Sequence, residues 1–258
     1  MKVSDIINII NEAAPEEYAM KWDNSGFLIG DKNKDVRKVL LALDVTEETA
    51  IQAEAENCDM IISHHPMFFG GIKAIDYSTP AGRTVRNLVK NDIAVYACHT
   101  NMDAAEKGIN HVLAEMFGLS DCVVLDPNPG AEGIGIGRVG NTGREYTLEE
   151  LCELTKNLLD TPCVRAIKGN DEKITRIAVA SGSCSEFIPS AIALGAQAII
   201  TADMKYHDSL DAYEAGMNVI DAGHYPTEFI VTGILEKLLE NTGVETVKSH
   251  NRDVFIYI

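Results

Sequence analysis

Positive charge is scarce in this sequence. Its 258 residues include 22 Lys and Arg against 39 Asp and Glu, a formal charge of −17. The clustered basic side chains that hold a nucleic-acid backbone are therefore missing. An anionic substrate would need a local source of positive charge, and a metal ion can supply one. The six cysteines (Cys58, Cys98, Cys122, Cys152, Cys163, Cys184) include no C-x-x-C pair and read as reduced, buried thiols of a cytoplasmic protein. No apolar run approaches the length of a membrane span. The N-terminal "MKVSDIINIINEAAP" has apolar residues at 6, 9, 10 and 13 with charges at both ends. That is the period of an amphipathic helix rather than a signal peptide. Tryptophan occurs once, at Trp22 in "WDNSG". It reads as a packing anchor for the N-terminal helix or as part of a site lining, with Asp23 and Asn24 able to position a ligand.

Strands and helices alternate along the chain. "VRKVLLALDV" (36–45) reads as a buried strand, "TEETAIQAEAEN" as a helix capped by Thr46, and "CDMIIS" as a second strand. A Gly-rich loop follows, then the helix "AGRTVRNLVKN" and the strand "DIAVYAC". Such βαβ order implies a mostly parallel sheet covered by helices. The pattern recurs: a shift of 138 residues lays "KVLLALDVTEETAIQAEAENCDMIIS" over "RIAVASGSCSEFIPSAIALGAQAIIT", and a shift of 125 lays "HTNMD" (99–103) over "HYPTE" (224–228). An internal duplication into two similar α/β lobes is the simplest account. Gly135, Gly137 and Gly140 match G-x-G-x-x-G, but the next helix starts only at "TLEEL". The segment therefore reads as a Gly-rich strand or hairpin and not as a dinucleotide site.

Four of the seven histidines fall at the ends of expected strands: His64 and His65 in "SHHP", His99 and His224. Asp103 and Glu228 stand four residues after His99 and His224. In parallel α/β sheets the C-terminal strand ends form the ligand crevice. Imidazoles and carboxylates gathered there suit Zn, Fe, Mn or Ni, and adjacent His64 and His65 favour two metals over one. Cys184, at a strand-to-helix turn, resembles a nucleophile's placement, but its counterpart under the shift is the cap residue Thr46, which favours a structural turn. The loop "FFGGIKAIDYSTP" (68–80) suits a flap over substrate or a subunit contact. The apolar "DVFIYI" at 253–258 reads as a strand returning to the first lobe.

Together "WDNSGFLIG", "SHHP", "HTNMD", "ADMKYH" and "GHYPTE" resemble the Nif-three-like family, whose members are often labelled GTP cyclohydrolase 1 type 2 homologues. The likeness spans the chain, in the short form that lacks a middle insertion. One departure is Ala202, where many relatives have glycine. The resemblance implies two interlinked α/β lobes, residues 1–125 with 229–258 and residues 126–228, with a dinuclear metal site in the cleft between them. It also implies a ring-shaped homohexamer. Its ligands would be His64, His65, Asp103, His224 and Glu228, holding two divalent transition-metal ions. His99 and His207 would stand beside the metals as proton-transfer candidates. Metal coordination lowers the pKa of water toward neutrality, so the implied chemistry is hydrolysis of a nucleotide or other phosphorylated small molecule. The family label specifies ring opening of GTP with formate release. A protein that stores, delivers or senses a metal without turnover is the alternative.

Overall fold

The structure, a computed structural model, describes residues 1–128, 131–256 and 258. In chain order the elements are α1 (Val3–Ala13), β1 (Gly26–Ile29), β2 (Lys38–Ala42), α2 (Glu47–Ala55), β3 (Met60–Ser63), α3 (Pro80–Lys90), β4 (Ala94–Ala97) and α4 (Thr100–Ala104). Next come α5 (Ile109–Met116), β5 (Ser120–Pro127), β6 (Gly135–Tyr146), α6 (Leu148–Leu158), β7 (Arg165–Ile167) and β8 (Ile174–Ser183). The last are α7 (Ile188–Ala193), β9 (Ala198–Ala202), α8 (Tyr206–Glu214), β10 (Asn218–Asp221), α9 (His224–Glu228), α10 (Val231–Leu239) and β11 (Glu245–Lys248). Among the described residues no helix is long and apolar enough to cross a membrane.

Two compact units result, Met1–Met102 with Phe229–Arg252, and Asp103–Glu228 with Asp253–Ile258. The first holds a five-stranded sheet ordered β1-β4-β3-β2-β11, in which β2, β3, β4 and β11 run parallel and β1 antiparallel. Its central strands are continuous apolar runs because both faces are covered. Alternate residues Leu40, Ala42, Ile61, Ile93 and Val95 pack with Ala50, Ala53 and Leu88 of the helices, the two-residue period of a pleated strand. Local chemistry starts the helices where the sequence indicates. Thr46 Oγ1 accepts from Thr49 N at 3.1 Å, and Thr79 Oγ1 accepts from Gly82 N at 3.1 Å ahead of Pro80. Such caps satisfy first-turn donors that have no intrahelical partner.

The second unit holds a six-stranded sheet ordered β5-β6-β8-β9-β10-β7. Strands β8, β9 and β10 are parallel, and β7 is antiparallel beside β10. The order β1-β4-β3-β2 of the first sheet thus has its counterpart in β7-β10-β9-β8, the pattern the 138- and 125-residue shifts imply. The glycine-rich segment is the strand β6, antiparallel to both β5 and β8. Gly137 has φ +68, and a Cβ there would come within 2.7 Å of Leu125 Cδ2. That position therefore needs glycine for the close approach of β5, with no phosphate involved.

The leading segment of the first unit ends at Met102, and β5 and α5 belong with the second sheet, where β5 pairs with β6 and α5 packs on β6 and β8. One expectation is corrected. The strand that returns to the first sheet is β11, paired parallel with β2 from Glu245↔Lys38 to Lys248↔Leu41. The segment "DVFIYI" groups with the second unit instead. Val254, Phe255 and Ile256 are exposed and form no strand, and Tyr257 lies outside the described residues.

None of the six cysteines is disulfide-bonded, and Cys58, Cys98 and Cys184 are buried. Burial pushes the Cys58 thiol up to about 11, which suppresses its thiolate. In the folded protein at pH 8, a thiol-specific disulfide reagent should label exposed Cys122 first and half-buried Cys152 and Cys163 more slowly. The remaining thiols should appear only in denaturant. Prompt labelling of all six without denaturant would contradict this core.

Candidate functional site

In the first unit the parallel neighbours β3 and β4 end side by side, with Ser63 opposite Ala97. His64 and His65 directly follow β3, and His99 follows β4 by two residues. A flat strand would send adjacent side chains to opposite faces. Here Ser63 Oγ donates to His65 O at 2.8 Å, a turn that ends the pleat. The imidazole centroids of His64 and His65 are 5.1 Å apart, and those of His99 lie 5.1 and 5.4 Å from them. Ligand-capable nitrogens of all three stand within 4.8 Å of one another.

Each ring is oriented through Nδ1. His64 donates to Cys98 O at 2.9 Å, His65 to Asp44 Oδ1 at 2.8 Å and His99 to Asp23 Oδ1 at 2.8 Å. Such partners set the tautomer that presents the Nε2 lone pair. Asp23 is the hub. Its buried carboxylate also accepts from Thr100 Oγ1 at 2.6 Å, Thr100 N at 3.1 Å, Ser25 Oγ at 2.7 Å and Asn24 N at 2.7 Å. Burial alone would raise this carboxyl, but the hydrogen bonds from His99, Thr100 and Ser25 and the His99 charge outweigh it. They hold the group well below the usual carboxylate range.

In the second unit His224 opens α9 and Glu228 closes it, one helical turn apart. His224 Nδ1 lies 2.7 Å from Asp203 Oδ2, and Nε2 lies 2.8 Å from Glu228 Oε2. Gly182, at φ +66, makes room for the carboxylate: a Cβ there would fall 2.1 Å from Glu228 Oε1. Asp103 is buried and accepts from Ser181 Oγ at 3.0 Å, while Asn110 bridges Ser181 N and Asp103 O at 2.9 and 3.1 Å. A cavity of about 300 Å³ adjoins His224, lined also by Asp203, Asp221, Phe255 and Arg165. Arg165 pairs with Asp221 and donates to Met204 O at 3.1 Å.

His64, His65 and His99 are thus brought together in one unit, and His224 and Glu228 in the other, with Asp103 buried there among polar partners. His207 is exposed in the first turn of α8, its ring against Tyr206, and joins no ligand-capable group among the described residues. Cys184 is structural: its thiol donates to Ser181 O at 3.2 Å. Burial, with carboxylates such as Asp103 nearby, pushes that thiol well above its usual value. Asp44 and Asp203 are members of the site that histidine counting overlooks. Asp203 directly follows β9 and Asp44 follows β2 by two residues, and the 138-residue shift lays Asp203 on His65 and Gly182 on Asp44.

The donor set suits a borderline transition metal. It consists of imidazoles and carboxylates with no thiolate, and every one of the four imidazoles is braced through Nδ1 in the manner of metal-ligating histidines. The pocket that Gly182 leaves for Glu228 shows the same preorganisation.

Residues 1–254 match the family described as Duf34/NIF3 (NGG1p interacting factor 3). A Clostridium perfringens protein named GTP cyclohydrolase 1 type 2 homolog is 37% identical over 262 residues, covering 100% of both chains. Among solved structures, a Bacillus cereus protein related to NIF3 superposes with a TM-score of 0.92 at 26% identity, over 100% of this chain and 99% of that one. A Staphylococcus aureus protein does so at 0.91 and 29%, with the same coverage.

Proposed function

We propose, from the premise that this chain belongs to the Duf34/NIF3 family, that it is a dinuclear metal-dependent hydrolase acting on a nucleotide or a related phosphorylated small molecule. His64, His65, Asp103, His224 and Glu228 hold two divalent ions of the zinc, iron, manganese or nickel type. By resemblance the working form is a ring-shaped homohexamer. The observation that carries the reading is the bracing of all four strand-end imidazoles through Nδ1, which directs their Nε2 atoms to ligand or proton chemistry. Two ions are favoured over one because the neighbouring His64 and His65 are braced against different partners, Cys98 O and Asp44.

Bound ions would supply Lewis acidity, making water nucleophilic near neutral pH. His99, held by Asp23, accepts the proton of the attacking water at Nε2 and returns it to the departing nitrogen of an opened purine ring. Asp23 stabilises the imidazolium formed between those steps. For GTP a first water adds to C8 and the C8–N9 bond breaks to leave a formamide on N7. A second water hydrolyses that formamide so that C8 leaves as formate; a relative carries the name GTP cyclohydrolase 1 type 2 homolog.

The test is metal content together with formate release from GTP, in the wild type and in His64→Ala. About two ions per chain are expected in the wild type, with His64→Ala losing at least half of the metal and roughly 100-fold in turnover, the scale on which lost ligation acts. Bound metal with no formate would reject the cyclohydrolase reaction and favour storage or delivery of metal. Absence of bound metal after growth with each of the four metals would reject the site itself.

A further inference from the structure

We propose that Trp22 and Phe69 form a recognition site for a flat heteroaromatic ring of purine size, held beside His99. The inference rests on reading the site as one that acts on a nucleotide, and it names the part of the substrate that the first unit grips. Both aromatics make edge contacts with the His99 ring, at centroid distances of 5.8 and 5.7 Å and interplanar angles of 72° and 77°. They remain 61% and 56% exposed, so more than half of each side chain is open to a ligand. His99 between them is buried.

The backbone next to these rings is anchored although the rings are not covered. Trp22 precedes Asp23, whose buried carboxylate is locked by five hydrogen bonds. Asn24 Nδ2 donates to Phe68 O at 2.6 Å, which ties the start of the loop carrying Phe69 to the same turn. A single tetrapeptide, Trp22 to Ser25, therefore positions both aromatics and the imidazole beside them. Residues 69–81 are exposed throughout, so this side of the site is open to a planar guest. Aromatic surfaces beside an anchored turn stack on the π-face of a base without reading its hydrogen-bonding edge. The site should therefore accept guanosine and adenosine alike, leaving discrimination between bases to other groups.

Trp22 is the only tryptophan, so tryptophan emission reports on this position alone. The full-length protein as purified should show saturable quenching with guanosine, adenosine and GTP and none with inorganic triphosphate. Phe69→Leu, at an exposed position, should weaken guanosine binding roughly ten-fold, the scale of one lost base–aromatic stack. Phe69→Tyr, which keeps the ring, should restore it. Urea unfolding of each variant checks that the fold is unchanged. The proposal is overturned if triphosphate quenches as guanosine does, if Phe69→Leu binds guanosine like the wild type, or if emission follows protein concentration and ignores nucleosides. The last result would make these rings a subunit contact. Metal assayed on the same samples separates the two readings. Metal-loaded protein blind to nucleosides sinks only the ring site, whereas nucleoside quenching in protein that never takes up metal sinks only the dinuclear hydrolase.

Discussion

Asp23→Ala is expected to destabilise the first unit by about 3 kcal/mol, the scale on which breaking a buried charged hydrogen-bond network acts. The carboxylate accepts from His99, Thr100, Ser25 and the Asn24 amide. An alanine would leave those donors facing a dry gap. Asp23→Asn keeps the shape and one acceptor oxygen, so it should cost less, but its amide NH2 would face donors. The measurement is urea unfolding followed by circular dichroism and by Trp22 emission. A midpoint within error of the wild type would show that the hub is dispensable. The pH dependence has a definite sign. The folded Asp23 carboxyl lies below its unfolded value, so its stabilisation is complete above the ordinary carboxylate pKa of about 4. It is lost progressively as pH falls toward the lower folded value. Asp23→Ala should therefore flatten the acid side of the stability curve while leaving its alkaline side parallel to the wild type.

On the proposed dinuclear site, Gly182→Ala should lower the metal content sharply while leaving the fold in place. Two effects combine. At φ +66 an added side chain adopts a left-handed backbone, costing about 1–2 kcal/mol, and its Cβ would lie 2.1 Å from Glu228 Oε1. The backbone has little freedom to yield. Gly182 N donates to Thr227 Oγ1 at 3.1 Å, and Gly182 O accepts from Thr201 Oγ1 at 3.0 Å. The Glu228 carboxylate must move instead, breaking its 2.8 Å contact with His224. Metal analysis after gel filtration should then read well under the wild-type content, and Glu228→Gln should behave similarly without the backbone penalty. Full metal retention in Gly182→Ala would exclude Glu228, in its present pose, as a ligand.

Much of this could be read along the chain. The strands β2, β3 and β9 are mostly apolar, and the helices α2, α3 and α6 begin at Thr46, Thr79 and Thr147, whose hydroxyls cap first-turn amides. The four strand-end histidines follow from the same grammar, since parallel strands of one sheet end on one side. The role of Asp23 could not be seen this way. It lies 76 residues before its partner His99 and belongs to no periodic segment. Asp44 and Asp203 were within reach, because acids within two residues of a strand end lie beside the histidines placed there. The run "DVFIYI" misleads because an apolar run indicates strand propensity but does not say which segment the sheet takes up, and β11 takes the place beside β2.

The sequence by itself determined the repeated βαβ segments and therefore which side chains arrive at their strand ends. Hydrophobic period, caps and βαβ connection are short-range properties of neighbouring residues. Only the tertiary structure decided the turn at Ser63 that gathers His64 and His65, the pairing of each imidazole with its own acid or carbonyl, and the space at Gly182 that admits Glu228. Those outcomes depend on side-chain directions and ångström-scale clearances between residues far apart in the chain. Such quantities exist only once the backbone has closed around them.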